Sequence, residues 1–193
     1  MVNIIGGGLA GCEAAYQLLK RNIDVTLYEM RPKNFTPAHK TDKLAELVCS
    51  NSLKSKLPDT ASGLLKEEMR RIGSLIVEAA EASFIPAGSA LAVDKMIFSD
   101  YIENKLREFP NLNIIREEIT AIDENSDTII ASGPLTSSRL AEDIIRLTRK
   151  EYLYFFDSVA PIVSYDSIDL DRAFFASRYN KGSDDYINCP MNR

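Results

Sequence analysis

The sequence predicts an α/β fold of the doubly wound type, a mostly parallel sheet with a smaller β region inserted into it. Three observations predict it. An apolar, β-branched run, Val2 to Ile5, ends in Gly6-Gly7-Gly8 and opens directly into a helical pattern. A second apolar run, Ile23 to Tyr28, closes a strand–helix–strand unit whose parallel strands imply a right-handed crossover. Strands and helices then alternate along a chain of 193 residues, 45% hydrophobic and 26% charged, which is enough apolar surface for a core and enough charge to keep it in water.

Each element has its own signal. From Leu9 to Arg21 the residues Leu9, Ala10, Ala14, Ala15, Leu18 and Leu19 recur at helical spacing. Met30 to Asp59 holds three prolines and little periodicity, so it reads as loop with a short helix around Leu44 to Val48. Ser62 is placed to cap one long helix to about Ala82, with Leu65, Met69, Ile72, Ile76 and Ala79 as its buried stripe. Ala90 to Val93 reads as a strand and Asp94 as the cap of a helix that buries Phe98, Tyr101, Ile102 and Leu106 and stops before Pro110. Short strands are expected at Asn113 to Arg116, Ile119 to Ile122 and Thr128 to Ala131. A helix from Ser138 to Thr148 and a mixed aromatic segment from Tyr152 to Val163 follow.

Composition narrows the function classes. The longest apolar stretches fall far short of the ~18 residues that span a bilayer, and Met1 leads straight into Val2 to Ile5, so the expectation is a cytoplasmic protein without membrane contact. Cys12, Cys49 and Cys189 are widely spaced, and His39 is the only histidine; disulfide frameworks, zinc sites and Ser-His-Asp catalysis are disfavoured, and no metal is expected. Asp166, Asp169 and Asp171 lack the glycine and terminal glutamate of a calcium loop. Glu117 and Glu118 read as a charge pair at a strand edge. The net charge is −5, yet Arg31 to Lys56 carries six bases against two acids, a +4 strip on a body of −9.

Gly6-Gly7-Gly8-Leu9-Ala10-Gly11 fits G-x-G-x-x-G between a strand and a helix, where the fingerprint of a dinucleotide site belongs. Gly6 permits the tight turn, Gly8 lets a pyrophosphate approach the backbone, and Gly11 lets the helix pack close to the strand. Free N–H groups at the helix start attract the anion. Glu29 closes the second strand 18 residues after Gly11, where a carboxylate accepts from both ribose hydroxyls and repels a 2′-phosphate, so FAD or NAD fits better than NADP. Arg31 is either a contact to adenine or pyrophosphate or a surface arginine. The strand ending in Ser132-Gly133 resembles the Ala-Thr-Gly segment by which many flavoproteins bring a second backbone stretch to the dinucleotide, which favours flavin.

Cys49 is followed by Ser50, Asn51 and Ser52, all helix-cap residue types, so its thiol is expected to face a helix start. At a pKa near 8.5 only about 3% of a thiol is ionised at pH 7; a helix N-terminus with Lys54 or Lys56 would raise that fraction. The alternative is a buried, inert cysteine. Cys12, inside the first helix, reads as a packing residue.

Three long runs carry a family resemblance: Gly6 to Ala15, Val25 to Pro32 and Leu47 to Lys54. It continues through Gly133-Pro134-Leu135-Thr136-Ser137, Ala176-Ser177-Arg178-Tyr179 and Asp185-Tyr186-Ile187-Asn188-Cys189-Pro190. Together they resemble the N-terminal half of the folate- and FAD-dependent tRNA (uracil-5-)-methyltransferases, the TrmFO family, related to GidA-type flavoproteins. The resemblance implies an enzyme that makes 5-methyluridine in the T loop of tRNA. It implies 5,10-methylenetetrahydrofolate as carbon donor and FAD, reduced by NADH or NADPH, as carrier of that carbon and of reducing equivalents. By the same match Cys49 is the functional cysteine near the flavin. The family's second functional cysteine lies downstream of the segment matched by Asn188-Cys189-Pro190, so residues 1–193 are expected to be the truncated N-terminal part of a FAD-binding domain, with a second region starting near residue 150. No protein partner is implied. Two further readings stand beside it: a flavoprotein that modifies wobble uridine of tRNA, and a catalytically silent nucleotide-binding remnant.

Overall fold

The computed structural model describes residues 1–150, 163–177 and 183–190. The expected segment Tyr152 to Val163, apart from Val163 itself, and the residues Arg178 and Tyr179 lie outside the described residues.

Four strands, β1 (Val2–Ile5), β2 (Val25–Tyr28), β6 (Leu112–Ile115) and β7 (Thr128–Ile130), form a parallel sheet in the order β6-β2-β1-β7. Taken in chain order within the sheet this is 3-2-1-4, the opening of the dinucleotide-binding strand order, and it places the topological switch point between β1 and β7. Ile4, Val25 and Leu27 share one pleat face and are wholly buried, in one core cluster with residues of α1 (Leu9–Leu19), α3 (Leu75–Ala82) and α4 (Lys95–Arg107). Each such side chain contributes roughly 2 kcal/mol of burial. Asp94 caps α4 as its position predicts, accepting from the N–H groups of Met96 and Ile97 at 2.9 and 3.0 Å.

The inserted β region is a three-stranded antiparallel sheet, β3 (Ser52–Ser55), β5 (Ala90–Val93) and β4 (Phe84–Ile85), in the order β3-β5-β4. β3 falls in the stretch expected to be loop; Ser52 pairs with Ala92 and Ser55 with Ala90, a non-local pairing that local periodicity does not report. A hairpin of β8 (Phe174–Ala176) and β9 (Tyr186–Asn188) is tied to the loop before β5, where Asp185 accepts from the Gly88 N–H and the Tyr186 hydroxyl donates to the Ala87 carbonyl at 2.9 Å.

Further expectations are corrected. The long helix from Ser62 is two helices, α2 (Ala61–Arg71) and α3, because Gly73 turns through φ +72 and Ser74 caps α3 through the Val77 N–H. Thr60, not Ser62, caps α2, and Leu65 and Ile72 are exposed instead of buried. Leu44 to Val48 is not helical: Ala45 sits at φ +52 and its N–H is pinned to the Gly7 carbonyl at 2.8 Å. Ile119 to Ile122 is not a strand; the Ile122 N–H goes to the Asp143 carboxylate on α5 (Ser138–Thr148) at 2.8 Å.

Candidate functional site

At the switch point the ends of β1, β2 and β7 open into a cavity of about 320 Å³, within the usual range for small-molecule pockets. Gly6, Gly7, Gly8, Leu9 and Ala10 form one wall, Tyr28, Glu29 and Arg31 a second, and Ala131, Ser132 and Gly133 a third.

The glycines divide the work of this turn. Gly6 has φ +110, and a Cβ there would stand 2.6 Å from the Ala131 carbonyl oxygen, so the turn after β1 and the end of β7 meet backbone to backbone. A Cβ on Gly11 would come within 1.9 Å of the Gly6 carbonyl; this glycine stands behind the cavity and lets α1 press on the turn. Gly8 differs, because a Cβ there would meet nothing within 4 Å and would project into open space. The first bond within α1 runs from the Cys12 N–H to the Gly8 carbonyl, leaving the N–H groups of Leu9, Ala10 and Gly11 without an intrahelical acceptor. The first turn also carries no acid to compete for an anion.

Glu29 is 6% exposed and accepts three hydrogen bonds: from the Gly7 N–H at 3.0 Å on one oxygen, and from the Arg31 N–H and Nε at 3.0 and 2.9 Å on the other. Burial works against its charge, but the Arg31 side chain, the backbone N–H groups of Arg31 and Gly7 and the Arg31 charge outweigh that and hold the carboxyl below the ordinary carboxylate range. A carboxylate offers about four lone-pair directions, so acceptor capacity remains on the cavity side.

Arg31 lines the cavity and is not on the surface, which removes the surface-arginine alternative. It is 1% exposed; Nε is spent on Glu29, and one terminal nitrogen on the Glu46 carboxylate at 2.6 Å and the Thr41 carbonyl at 2.9 Å. Its work in the structure is to fix Glu29 and tie the following loop to β2.

Cys49 is exposed, and it adjoins the site through Val48, which lines the cavity, while Cys49 itself does not. The helix start expected beside its thiol is absent, because Ser52 begins strand β3. Cys12 is wholly buried, its thiol 3.4 Å from the Gly7 carbonyl and pushed up to about 12, chiefly by burial. That chemistry makes it a packing group.

Four polar residues on the cavity wall escaped the sequence reading. Glu117 and Glu118 face the cavity from a loop, not from a strand edge. His39 stands with Nδ1 2.6 Å from the Thr36 hydroxyl, and burial, then the Arg31 charge, lowers its pKa. Ser137, at the N-cap of α5, lines the cavity with its Oγ buried and without a hydrogen-bond partner among the described residues. Its sequence signals were a serine in front of an amphipathic run and its place at the end of Gly133-Pro134-Leu135-Thr136-Ser137.

A parallel sheet in 3-2-1-4 order, with a glycine turn and an ionised glutamate at its switch point, defines the class: a Rossmann-like protein of the FAD-binding fold. Within that class the chain belongs to the glucose inhibited division protein A family, whose model matches residues 1–193. It is 56% identical over 193 residues to the methylenetetrahydrofolate–tRNA-(uracil-5-)-methyltransferase TrmFO of Syntrophus aciditrophicus, covering all of this chain and 44% of that protein. It is 57% identical over 190 residues to the protein of the same name from Caldicellulosiruptor bescii, covering 98% of this chain and 44% of the relative. The chain thus spans less than half the length of these curated relatives. Among solved structures, Aquifex aeolicus GidA superposes with a TM-score of 0.50 at 18% identity over 67% of this chain and 23% of its own, a likeness of fold.

Proposed function

We propose that the chain forms the FAD-binding part of a tRNA (uracil-5-)-methyltransferase that takes its carbon from 5,10-methylenetetrahydrofolate and its electrons from NADH or NADPH. The observation that carries this reading is the cradle at Gly8, open to a ligand and faced by the unpaired N–H groups of α1, in a chain more than half identical to enzymes of that name throughout its described length.

The residues fit the dinucleotide. Gly6 to Ala10 would hold the pyrophosphate, Glu29 the ribose hydroxyls, and Ser132 and Gly133 the opposite side, with Gly11 and Arg31 supporting from behind. When bound, FAD supplies the redox chemistry that turns a methylene into a methyl group. The chain's own contribution is positional: Glu29, kept ionised, accepts hydroxyl hydrogens and disfavours a 2′-phosphate, and the buried Arg31 keeps it aimed. Cys49 is assigned to the active site beside the flavin, its thiol presented to solvent at the end of the Val48 wall. Residues 1–193 then make up the N-terminal part of the FAD-binding domain, with a second region from about residue 150. The substrate is uridine in the T loop of tRNA, the setting is cytoplasmic, and no helix among the described residues is long and apolar enough to cross a membrane.

The wobble-uridine reading is weaker, because relatives 54–57% identical to this chain bear the uracil-5-methyltransferase name. The test is transfer of a labelled methylene carbon from 5,10-methylenetetrahydrofolate to unmodified tRNA, in an enzyme of the relatives' full length carrying this sequence. Cys49→Ala is expected to lower transfer about 100-fold or more while FAD stays bound; near-normal transfer removes Cys49 from the active site.

A further inference from the structure

A second hollow, of about 600 Å³, lies away from the glycine turn between β3, α2 and α3. Its floor is apolar: Leu53, Leu65, Met69, Ile76, Val77 and Leu91. Among the described residues its charged groups are Lys54 and Lys66 and no acidic residue lines it, although the chain as a whole is acidic. The start of α2, at Ala61 and Ser62, adds the positive end of a helix to the same side.

Two unfavourable features meet there. Lys54 occupies the left-handed region at φ +65, at a register break in the pairing of β3 with β5, and lines the hollow from that break. Its charge also bears on Lys66, whose ammonium is lowered first by burial and then by Lys54. Among the described residues neither lysine has an acidic partner. Lys66 gives two of its three donors to the carbonyls of Ser55 and Ser62, each at 3.0 Å, which fixes the ammonium in place and leaves one donor. Like-charge repulsion between two lysines at one apolar cavity is what an anionic ligand would relieve.

We propose that this hollow binds a small organic anion with an apolar ring, a carboxylate-bearing aromatic, its ring on the Leu65–Val77 floor and its carboxylate between Lys54 and Lys66. The apolar floor favours this class over a nucleic-acid backbone, whose phosphates are met by polar and charged groups. The benzoylglutamate end of a folate has this chemistry, so the hollow would hold the tail of the carbon donor; that extension rests on the function proposed above.

The test is calorimetric titration of the chain with p-aminobenzoyl-glutamate and with its γ-linked triglutamate, which need neither FAD nor tRNA. Saturable binding is expected, tighter for the triglutamate and weakened about tenfold or more in the Lys54→Gln/Lys66→Gln variant. Ala61→Trp, at an exposed position on the rim, is expected to block binding while circular dichroism shows the fold intact. Absence of saturable binding at millimolar ligand, or equal affinity in the lysine variant, overturns the proposal. So does a short single-stranded RNA that binds with the lysine dependence when the benzoylglutamates do not. FAD uptake, measured separately, reports on the glycine-turn cavity, so failure of one site is distinguishable from failure of the other.

Discussion

Gly8 and Gly11 occupy one fingerprint, yet their substitutions are expected to fail in different ways. Gly11→Ala forces a Cβ to within 1.9 Å of backbone and should cost about 2 kcal/mol or more in a thermal or denaturant melt. Gly8→Val adds side chain to open space, so stability should fall by about 1 kcal/mol or less while FAD affinity drops about tenfold or more. Glu29 supplies a pH test. Its carboxyl is held below the ordinary range when folded, so the unfolded chain binds the proton more readily and the group stabilises the fold above the ordinary carboxylate pKa. That stability is lost as pH falls through the lower folded value. Glu29→Gln should flatten the acid side of a stability-against-pH curve and, by weakening a buried pair with Arg31, cost about 2–3 kcal/mol at pH 7. The cysteines divide similarly: native alkylation followed by mass spectrometry should label the exposed Cys49 and leave the buried Cys12 unmodified until the chain unfolds.

Among the elements, the break between α2 and α3 is where local pattern and tertiary structure part. The stripe Leu65, Met69, Ile72, Ile76, Ala79 keeps helical spacing across Gly73, so periodicity alone runs one helix through it. What ends α2 is a left-handed glycine, and what starts α3 is a cap shared with another helix. Ser74 donates to the Glu13 carboxylate at 2.7 Å, and the same carboxylate accepts from the Ile76 N–H at 3.0 Å, so α1 helps cap α3. Ser74→Ala is therefore expected to cost about 1–2 kcal/mol, read as a lower denaturation midpoint with an unchanged slope. β3 was hidden for a related reason, since its pairing with β5 is non-local and broken by a bulge at the left-handed Lys54. By contrast β1, α1, β2, β5, α4, β7 and α5 carry their signals locally, in β-branched runs, apolar stripes and caps, and the sequence places them to within a few residues.

For the molecule as a whole, the parallel sheet and its glycine turn were legible because a short motif specifies both backbone geometry and its neighbours. The rest of the cavity was not, because Glu117, Glu118, His39 and Ser137 reach it from loops and a helix cap far apart in sequence. Arg31 shows the limit most plainly: its position two residues after Glu29 was readable, but its burial between Glu29 and Glu46 depends on a loop that returns fifteen residues later. The whole account turns on the switch-point cavity as the flavin site. The most direct measurement is titration of FAD into this chain and its Gly8→Val variant, followed by flavin fluorescence, with circular dichroism on both. The account predicts saturable uptake near one FAD per chain and its loss in the folded variant; equal uptake by both, or none by a folded parent chain, would contradict it.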